Sequence, residues 1–309
     1  MATAPFPVDP VLTAIAIAYK NKSLIADDVL PRVPVSKQEF KYNKYKVEEG
    51  FTIPDTKVGR TSKPNEVSFS ASQTTASTED YGLEDPIPQA DIDNASENYD
   101  PESRSTEQLT NIIALDREVR TAGLVFDASN YGASNKTTLS GTSQFSDFDN
   151  SNPIDVIMTG LDACIMRPNI MTIGTQAFSK LCQHPDIVKA ILGNSGDKGI
   201  AKPEDIARLF MLDKVLVGQA LVNTAKKGQT AVIAKAWGKH ISLIYRDSLA
   251  DSRSGTTFGF TAQFGEKVAG SIEDPDIGLR GGRRIRVGES VKEVLCANDL
   301  GYFIQNAVA

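Results

Sequence analysis

Few residues of this chain have the types and spacing that chemistry requires. The two histidines, His184 and His240, have no partner at metal-ligand spacing, and His184 precedes Pro185, a helix-boundary position that suits a cap better than a base. Gly193, Gly196 and Gly199 surround Lys198, but a phosphate loop needs G-x-x-x-x-G-K-[ST], and Ile200 follows Gly199. Asp91, Asp93 and Asn94 begin like a calcium loop, yet Ala95 and Ser96 stand where a further ligand and the turn glycine belong, which leaves at most a lone weak cation contact. Neither G-x-S-x-G nor H-E-x-x-H occurs. The expectation is a protein that is not an enzyme, with no catalytic residue, no cofactor and no metal. The densest basic cluster, Arg280, Arg283, Arg284 and Arg286, alternates with Ile285 and Val287. It reads as the charged face of a strand, with a carboxylate of a neighbouring chain or packaged nucleic acid as alternative contacts.

The elements that would position these residues divide the chain unevenly. Residues 31–108 hold 12 Val, Ile, Leu, Met or Phe in 78 positions, whereas residues 109–309 hold 60 in 201. Ordering a backbone costs roughly 1–2 kcal/mol per residue, so the apolar-poor front is expected to complete its burial against other chains. Within it, residues 20–46 carry seven basic and three acidic residues, a basic strap, and residues 79–107 carry ten acidic residues and only Arg104, an acidic belt. These runs are either a solvated charged surface or an assembly contact, and in the second case attraction between strap and belt would make assembly salt-sensitive. Deleting residues 1–32 is expected to leave a folded body unable to assemble.

The net charge of −6 argues against a dedicated nucleic-acid binder. Cys164, Cys182 and Cys296 are unpaired in sequence and read as small apolar side chains in a reducing compartment. The early apolar run, residues 11–19, is too short to span a membrane and lacks a basic start, so a cytoplasmic origin is expected.

Helix starts are marked three times by a capping residue and a proline: Asp9-Pro10, Asp100-Pro101 and Asn152-Pro153. The second opens a long helix over 101–122, with Leu109, Ile112, Ile113, Leu115 and Val119 as its apolar side and Gly123 as its stop. Residues 47–70 read as a two-stranded excursion with its tip near 56–64. Residues 153–251 alternate helical and strand patterns, a compact mixed domain; Met158, Met166, Met171 and Met211 are expected to fill the core and Trp237 to anchor it. The tail returns to strands, expected beside the long helix. The fold class is α+β.

This order of elements resembles the major capsid proteins of tailed bacteriophages, the Hong Kong 97-type fold. The stretches that carry the likeness are Asn152–Ile191, Leu212–Thr224, Ala236–Arg246 and Ile285–Val308. The resemblance implies an N-terminal arm (1–46), an extended β-hairpin loop (47–81), a peripheral domain with a spine helix (82–152, spine about 101–122), an axial domain (153–251) and a return to the peripheral domain (252–309). It implies a structural protein of the virion that self-assembles, as hexamers and pentamers, into an icosahedral shell around a phage genome. The implied partners are copies of itself, a separate scaffolding protein, a portal, possible decoration proteins, and packaged DNA touched weakly and without sequence specificity, with no membrane.

Candidate inter-subunit contacts are Lys41, Lys44, Lys57, Arg60, Lys63, Glu84, Asp85, Arg280, Arg283 and Arg284. Some relatives cross-link a loop lysine to a neighbour's asparagine; Lys57 and Lys63 lie in the corresponding loop, but no partner or activating acid is identifiable and the bond is not expected. The alternative within the fold is the shell of an encapsulin-like nanocompartment; a remote one is a cytoplasmic hydrolase.

Overall fold

The cap-and-proline signals work as their chemistry requires. In the computed structural model, which describes residues 6–45, 52–67, 71–96, 99–193, 199–226, 228–250 and 255–309, Asp9 accepts hydrogen bonds from the backbone N–H groups of Val11 and Leu12 and starts α1 (Pro10–Ala18). A short α2 (Ala26–Val29) follows, then β1 (Arg32–Val35), β2 (Glu39–Tyr45), β3 (Ala71–Ser77), β4 (Glu79–Pro88) and α3 (Gln89–Asp93). Asp100 caps α4 (Pro101–Val125), a spine of 25 residues and, at 1.5 Å per residue, about 37 Å. The helix runs past Gly123, where an added Cβ would meet nothing within 4 Å. That glycine is helical rather than a stop, and Phe126 is the cap.

After β5 (Lys136–Thr138), Asn152 caps α5 (Pro153–Ala163). The chain continues through β6 (Ile170–Gly174), α6 (Thr175–Leu181), α7 (Pro185–Leu192), α8 (Pro203–Phe210), β7 (Lys214–Gly218), β8 (Leu221–Asn223), β9 (Ile233–Lys235) and β10 (Ile241–Ile244). Two long strands, β11 (Gly259–Asp274) and β12 (Gly282–Leu295), and a final β13 (Gly301–Gln305) complete it.

Two sheets organise the body. One runs β1-β11-β12-β4, the other β5-β13-β10-β6-β7. In the second, β6 and β10 are buried along their whole length, so they read as continuous apolar runs, and α5 to α8 pack with them in one core. In the first, the β11–β12 ladder shifts register between Phe264 and Val268, where Gly265 takes a positive φ of 69°. The tail divides between the sheets: β11 and β12 lie with the spine, whereas β13 inserts between β5 and β10. A strand as buried as Gly301–Phe303 needs neighbours on both edges.

The arm is part of the core, which corrects the expectation that it completes its burial on other chains. Leu12 and Ala16 pack with Leu109 and Ile113 of the spine and with Ala269, Ile285 and Val287. Ile25, Val29 and Leu30 join Ala122, Val125, Trp237 and Phe303. The low apolar density of residues 31–108 does not bear on this, because the arm residues that join these two cores lie before Pro31. Met211 also departs from expectation: it is 74 % exposed, in the left-handed conformation that ends α8.

The excursion is two-stranded, but its strands flank the residues expected to form it. β2 and β3 pair antiparallel from Glu39↔Ser77 to Tyr45↔Ala71, while residues 52–67 carry no strand and turn at Gly59–Ser62, where the Ser62 N–H donates to the Gly59 carbonyl at 3.0 Å. A hairpin of two strands is marginal alone. This one is rooted by Phe40 and Tyr42, which pack on Phe260, Ala262 and Val294 of the first sheet.

Candidate assembly surface

The surface that other copies could meet is held in place by a charge cluster the sequence did not advertise. Four-residue α2 is gripped at both ends by adjacent spine residues. At its N-terminus the Glu118 carboxylate accepts from the N–H groups of Ile25 (3.0 Å) and Ala26 (2.7 Å). At its C-terminus the Arg117 guanidinium donates to the Leu30 carbonyl at 3.1 Å and pairs with Asp27. The signs match the helix dipole, negative at the N-terminus and positive at the C-terminus. Glu118 also accepts from Trp237 Nε1 at 2.5 Å, so one carboxylate joins arm, spine and the β9–β10 connection.

Arg117 further donates to Thr261 Oγ1 at 3.0 Å and faces Glu293 at 3.7 Å; Arg32 reaches the buried Glu289 at 2.7 Å. Burial opposes the charge on Asp27, but the Arg117 and Arg32 guanidiniums outweigh it and hold its carboxyl below the usual range. Burial pushes the Glu118 carboxyl up, against its three donors. Expecting the apolar spine side at Ile112 and Val119 was mistaken, since both are exposed while Arg117 and Glu118 are buried. Two adjacent charges in a helix read as solvated surface; only a partner at each pole makes their burial tolerable.

The acidic belt folds onto the basic cluster of its own chain. β4 runs antiparallel to β12 with Glu84 opposite Arg286, and those two pair; Arg284 lies 3.6 Å from Glu84 and 2.5 Å from Asp274. Arg283 pairs with Glu102 and Lys292 with Glu79, each at 2.5 Å. Alternation on β12 thus turns Arg284 and Arg286 to a charged face and Ile285 and Val287 to the core, as the residue pattern suggests. Glu79, Glu84 and Glu102 of the belt are thus already partnered by β12 residues of their own chain, which leaves fewer of its acids for strap-to-belt attraction between chains. Cross-strand pairs this exposed contribute under about 1 kcal/mol. Arg286→Ala is expected to lower stability by no more than that in urea unfolding, and a larger loss would show a more buried role.

Among the other candidates, Asp85 accepts from Ser105 Oγ at 2.7 Å. Lys41 and Lys44 lie on β2, and Lys57, Arg60 and Lys63 lie in the exposed excursion, where Lys63 pairs with Glu66. Arg280 is exposed in the turn between β11 and β12. The structure therefore brings Glu84 and Arg284 together, gives Arg283 to Glu102, and shows no ion pair of Lys41, Lys57, Arg60, Lys63 or Arg280 with them among the described residues. Of the glycine-rich stretch, Gly196 and Lys198 fall outside the described residues; Gly193 ends α7 with φ 72°.

His184, Ser151 and Asp186 form a near-relay: Nε2 lies 3.0 Å from Ser151 Oγ, and Nδ1 lies 3.7 Å from the Asp186 carboxylate. The histidine's partners are those of a cap: the Asp186 backbone N–H donates to Nδ1 at 3.3 Å, which assigns the ring proton to Nε2, and the Ser151 hydroxyl donates to the Asp147 carbonyl at 2.6 Å. His184 is the cap of α7, as its place before Pro185 implies. His240 Nδ1 likewise accepts from the Asn306 N–H at 2.9 Å.

Burial depresses both histidines below 6.5, with Lys239 adding to the effect at His240 and Asp186 opposing it at His184. The unfolded chain then binds more protons than the folded one below about 6.5, so their contribution is complete above that pH and is lost as pH falls. The melting temperature is expected to drop on acidification through this window. His184→Asn, which keeps a capping side chain, should flatten the drop, and an unchanged slope would refute the assignment.

The arm, hairpin, spine and two sheets together define a class, the Hong Kong 97-type capsid subunit. A phage-related protein of Bordetella bronchiseptica superposes with a TM-score of 0.76 at 23 % identity over 97 % of each chain. The capsid protein of cyanophage P-SCSP1u superposes with 0.60 at 10 % identity over 99 % of this chain and 93 % of that one. In sequence, the chain is 58 % identical over all 309 residues, the whole of both chains, to the major capsid protein of Pseudomonas phage JBD67. It is 28 % identical over 308 residues to that of Burkholderia phage BcepMu, covering 96 % of this chain and 95 % of the relative. The chain belongs to the phage major capsid proteins. It is a structural component of the virion, and such subunits self-assemble into shell oligomers. No protein-family model matches it.

Proposed function

We propose that this chain acts mechanically and catalyses nothing: it closes an icosahedral head around the phage genome from hexamers and pentamers of itself. The observation that carries this reading is the hairpin. Its root, Phe40 and Tyr42, is buried in the body, while the excursion beyond it leaves Ile53, Val58 and Val67 exposed, Ile53 at 90 %. Apolar side chains placed far from their own core gain burial only on a neighbour. Lys57, Arg60 and Lys63 in the same excursion, with Lys41 and Lys44 on its stem, would supply charged contacts there.

A separate scaffolding protein and a portal are the expected assembly partners, with decoration proteins as possible additions on the outer face. Packaged DNA would be touched weakly and without sequence preference, in keeping with a net charge of −6. The domain division follows the same reading: arm 1–46, extended loop 47–81, peripheral domain 82–152 and 252–309, axial domain 153–251.

Negative-stain microscopy of purified protein, alone and with its scaffolding partner, tests this. Rings, sheets or shells are expected; monomers under every condition would overturn it.

A further inference from the structure

One leucine of this chain has no contact to explain it. Leu279, in the turn between β11 and β12, is 100 % exposed, and Arg280 beside it forms no ion pair among the described residues. The turn that presents them is built rather than loose. Gly278 and Gly281 take positive φ of 62° and 75°, Ile277 packs back beside Gly282, and the Gln89 N–H donates to the Gly281 carbonyl at 3.0 Å. Leu279 and Arg280 are therefore held outward as a fixed knob.

Beside it lies a depression of about 700 Å³ between the end of β4, α3 and the start of the spine. Its lining includes Pro86, Pro88 and Tyr99, with two carboxylates, Asp85 and Asp91, and one cation, Arg104, which lies against the Tyr99 ring at 5.6 Å. Neither Asp85 nor Asp91 forms an ion pair among the described residues. The hollow thus offers an exposed proline edge at Pro86 and Pro88 and more acid than base, and the knob offers a leucine beside an unpaired base.

We propose that Leu279 and Arg280 of one copy seat in the depression of a second copy, with Leu279 against Pro86 and Pro88 and Arg280 facing Asp85 and Asp91. The proposal rests on the shell reading and names one of its contacts. Knob and hollow sit at the same end of one sheet, since Gly282 is paired with Pro88. Each copy therefore presents both a knob and a hollow to its neighbours, so the contact can repeat from copy to copy. Within a single chain the pairing is not made, since Leu279 is fully exposed.

The test uses three full-length variants, Leu279→Asp, Arg280→Glu, and Arg280→Glu combined with Asp91→Arg, alongside the unaltered chain. Because Leu279 touches nothing in its own chain, Leu279→Asp should melt at the unaltered temperature. Its yield of shells should fall about tenfold or more, the factor expected from losing one buried leucine per contact. Arg280→Glu should assemble poorly, and Asp91→Arg should restore it. Normal assembly of Leu279→Asp overturns the proposal, and failure of the charge swap overturns the assignment of the hollow. An unaltered chain that never leaves the monomer overturns the shell reading itself, an outcome distinct from both.

Discussion

Removal of residues 1–32 yields a chain that does not fold: expression of the truncated protein should give insoluble material, and any soluble fraction should lack a cooperative melt. The reason is what the segment buries. Leu12, Ile25, Val29 and Leu30 are all under 9 % exposed, inside cores shared with the spine and both sheets. At about 1.5–3 kcal/mol for each large apolar side chain, their loss amounts to roughly 6–12 kcal/mol. That is comparable with the whole stability of a folded domain, about 5–15 kcal/mol.

The deletion also strips Asp27, Arg32 and the Leu30 carbonyl from the clamp. Arg117, 2 % exposed, then has Thr261 and the more distant Glu293, and Glu289 loses Arg32. Buried charges left without partners cost a further 3–5 kcal/mol. A soluble truncated body with a sharp thermal transition would show that the arm is an appendage after all. Soluble yield and circular-dichroism melting decide between the two.

What was legible in the sequence follows from how far each signal reaches. Asp9, Asp100 and Asn152 act on N–H groups two or three residues away, so a local pattern sufficed, and all three caps stand where the cap-and-proline pairs place them. The alternation Arg284, Ile285, Arg286, Val287 likewise carried its own two faces. Gly123 misled because a glycine stops a helix only where the chain must leave it, and nothing there requires that. The belt misled for a different reason: Glu79, Glu84 and Glu102 look solvated until β12 is laid beside β4, 200 positions later, with Arg286 opposite Glu84. The clamp was illegible in principle. Arg117 and Glu118 are ordinary helix residues, and only the return of residues 25–30 against the spine turns them inward.

The front of the chain thus divides in a way that composition alone does not show. Residues 10–35 bury most of their apolar groups in their own body, Val11 and Ile17 excepted. Residues 52–67 keep theirs outside, with Ile53 at 90 % exposure. The boundary between them is the root of the hairpin at Phe40 and Tyr42. A subunit arranged this way can fold before it meets a neighbour and still carry unspent apolar surface to the contact. Stability of the monomer and strength of the shell are then controlled by different residues.

Glu118 is a sensitive position of the monomer, buried and accepting from three donors. Glu118→Ala is expected to cost more than about 3 kcal/mol, because it leaves the N–H groups of Ile25, Ala26 and Trp237 Nε1 buried without an acceptor, at roughly 1–3 kcal/mol each. Glu118→Gln separates charge from shape. Its amide oxygen can accept from at most two of the three donors, while its NH2 group faces the third as donor against donor. It should therefore be destabilised, though less than alanine, and the damage should be local: amide exchange at Ile25 and Ala26 should accelerate well before exchange in α6 or α8, whose buried side chains lie in the other core. Urea unfolding gives the total cost, and residue-resolved hydrogen exchange gives its location. Glu118→Ala within about 1 kcal/mol of the unaltered protein would mean that arm and spine are joined by apolar packing alone. Uniform acceleration throughout the chain would mean that arm, spine and both sheets open as one unit, and that Glu118 belongs to the global core rather than to a latch on the arm.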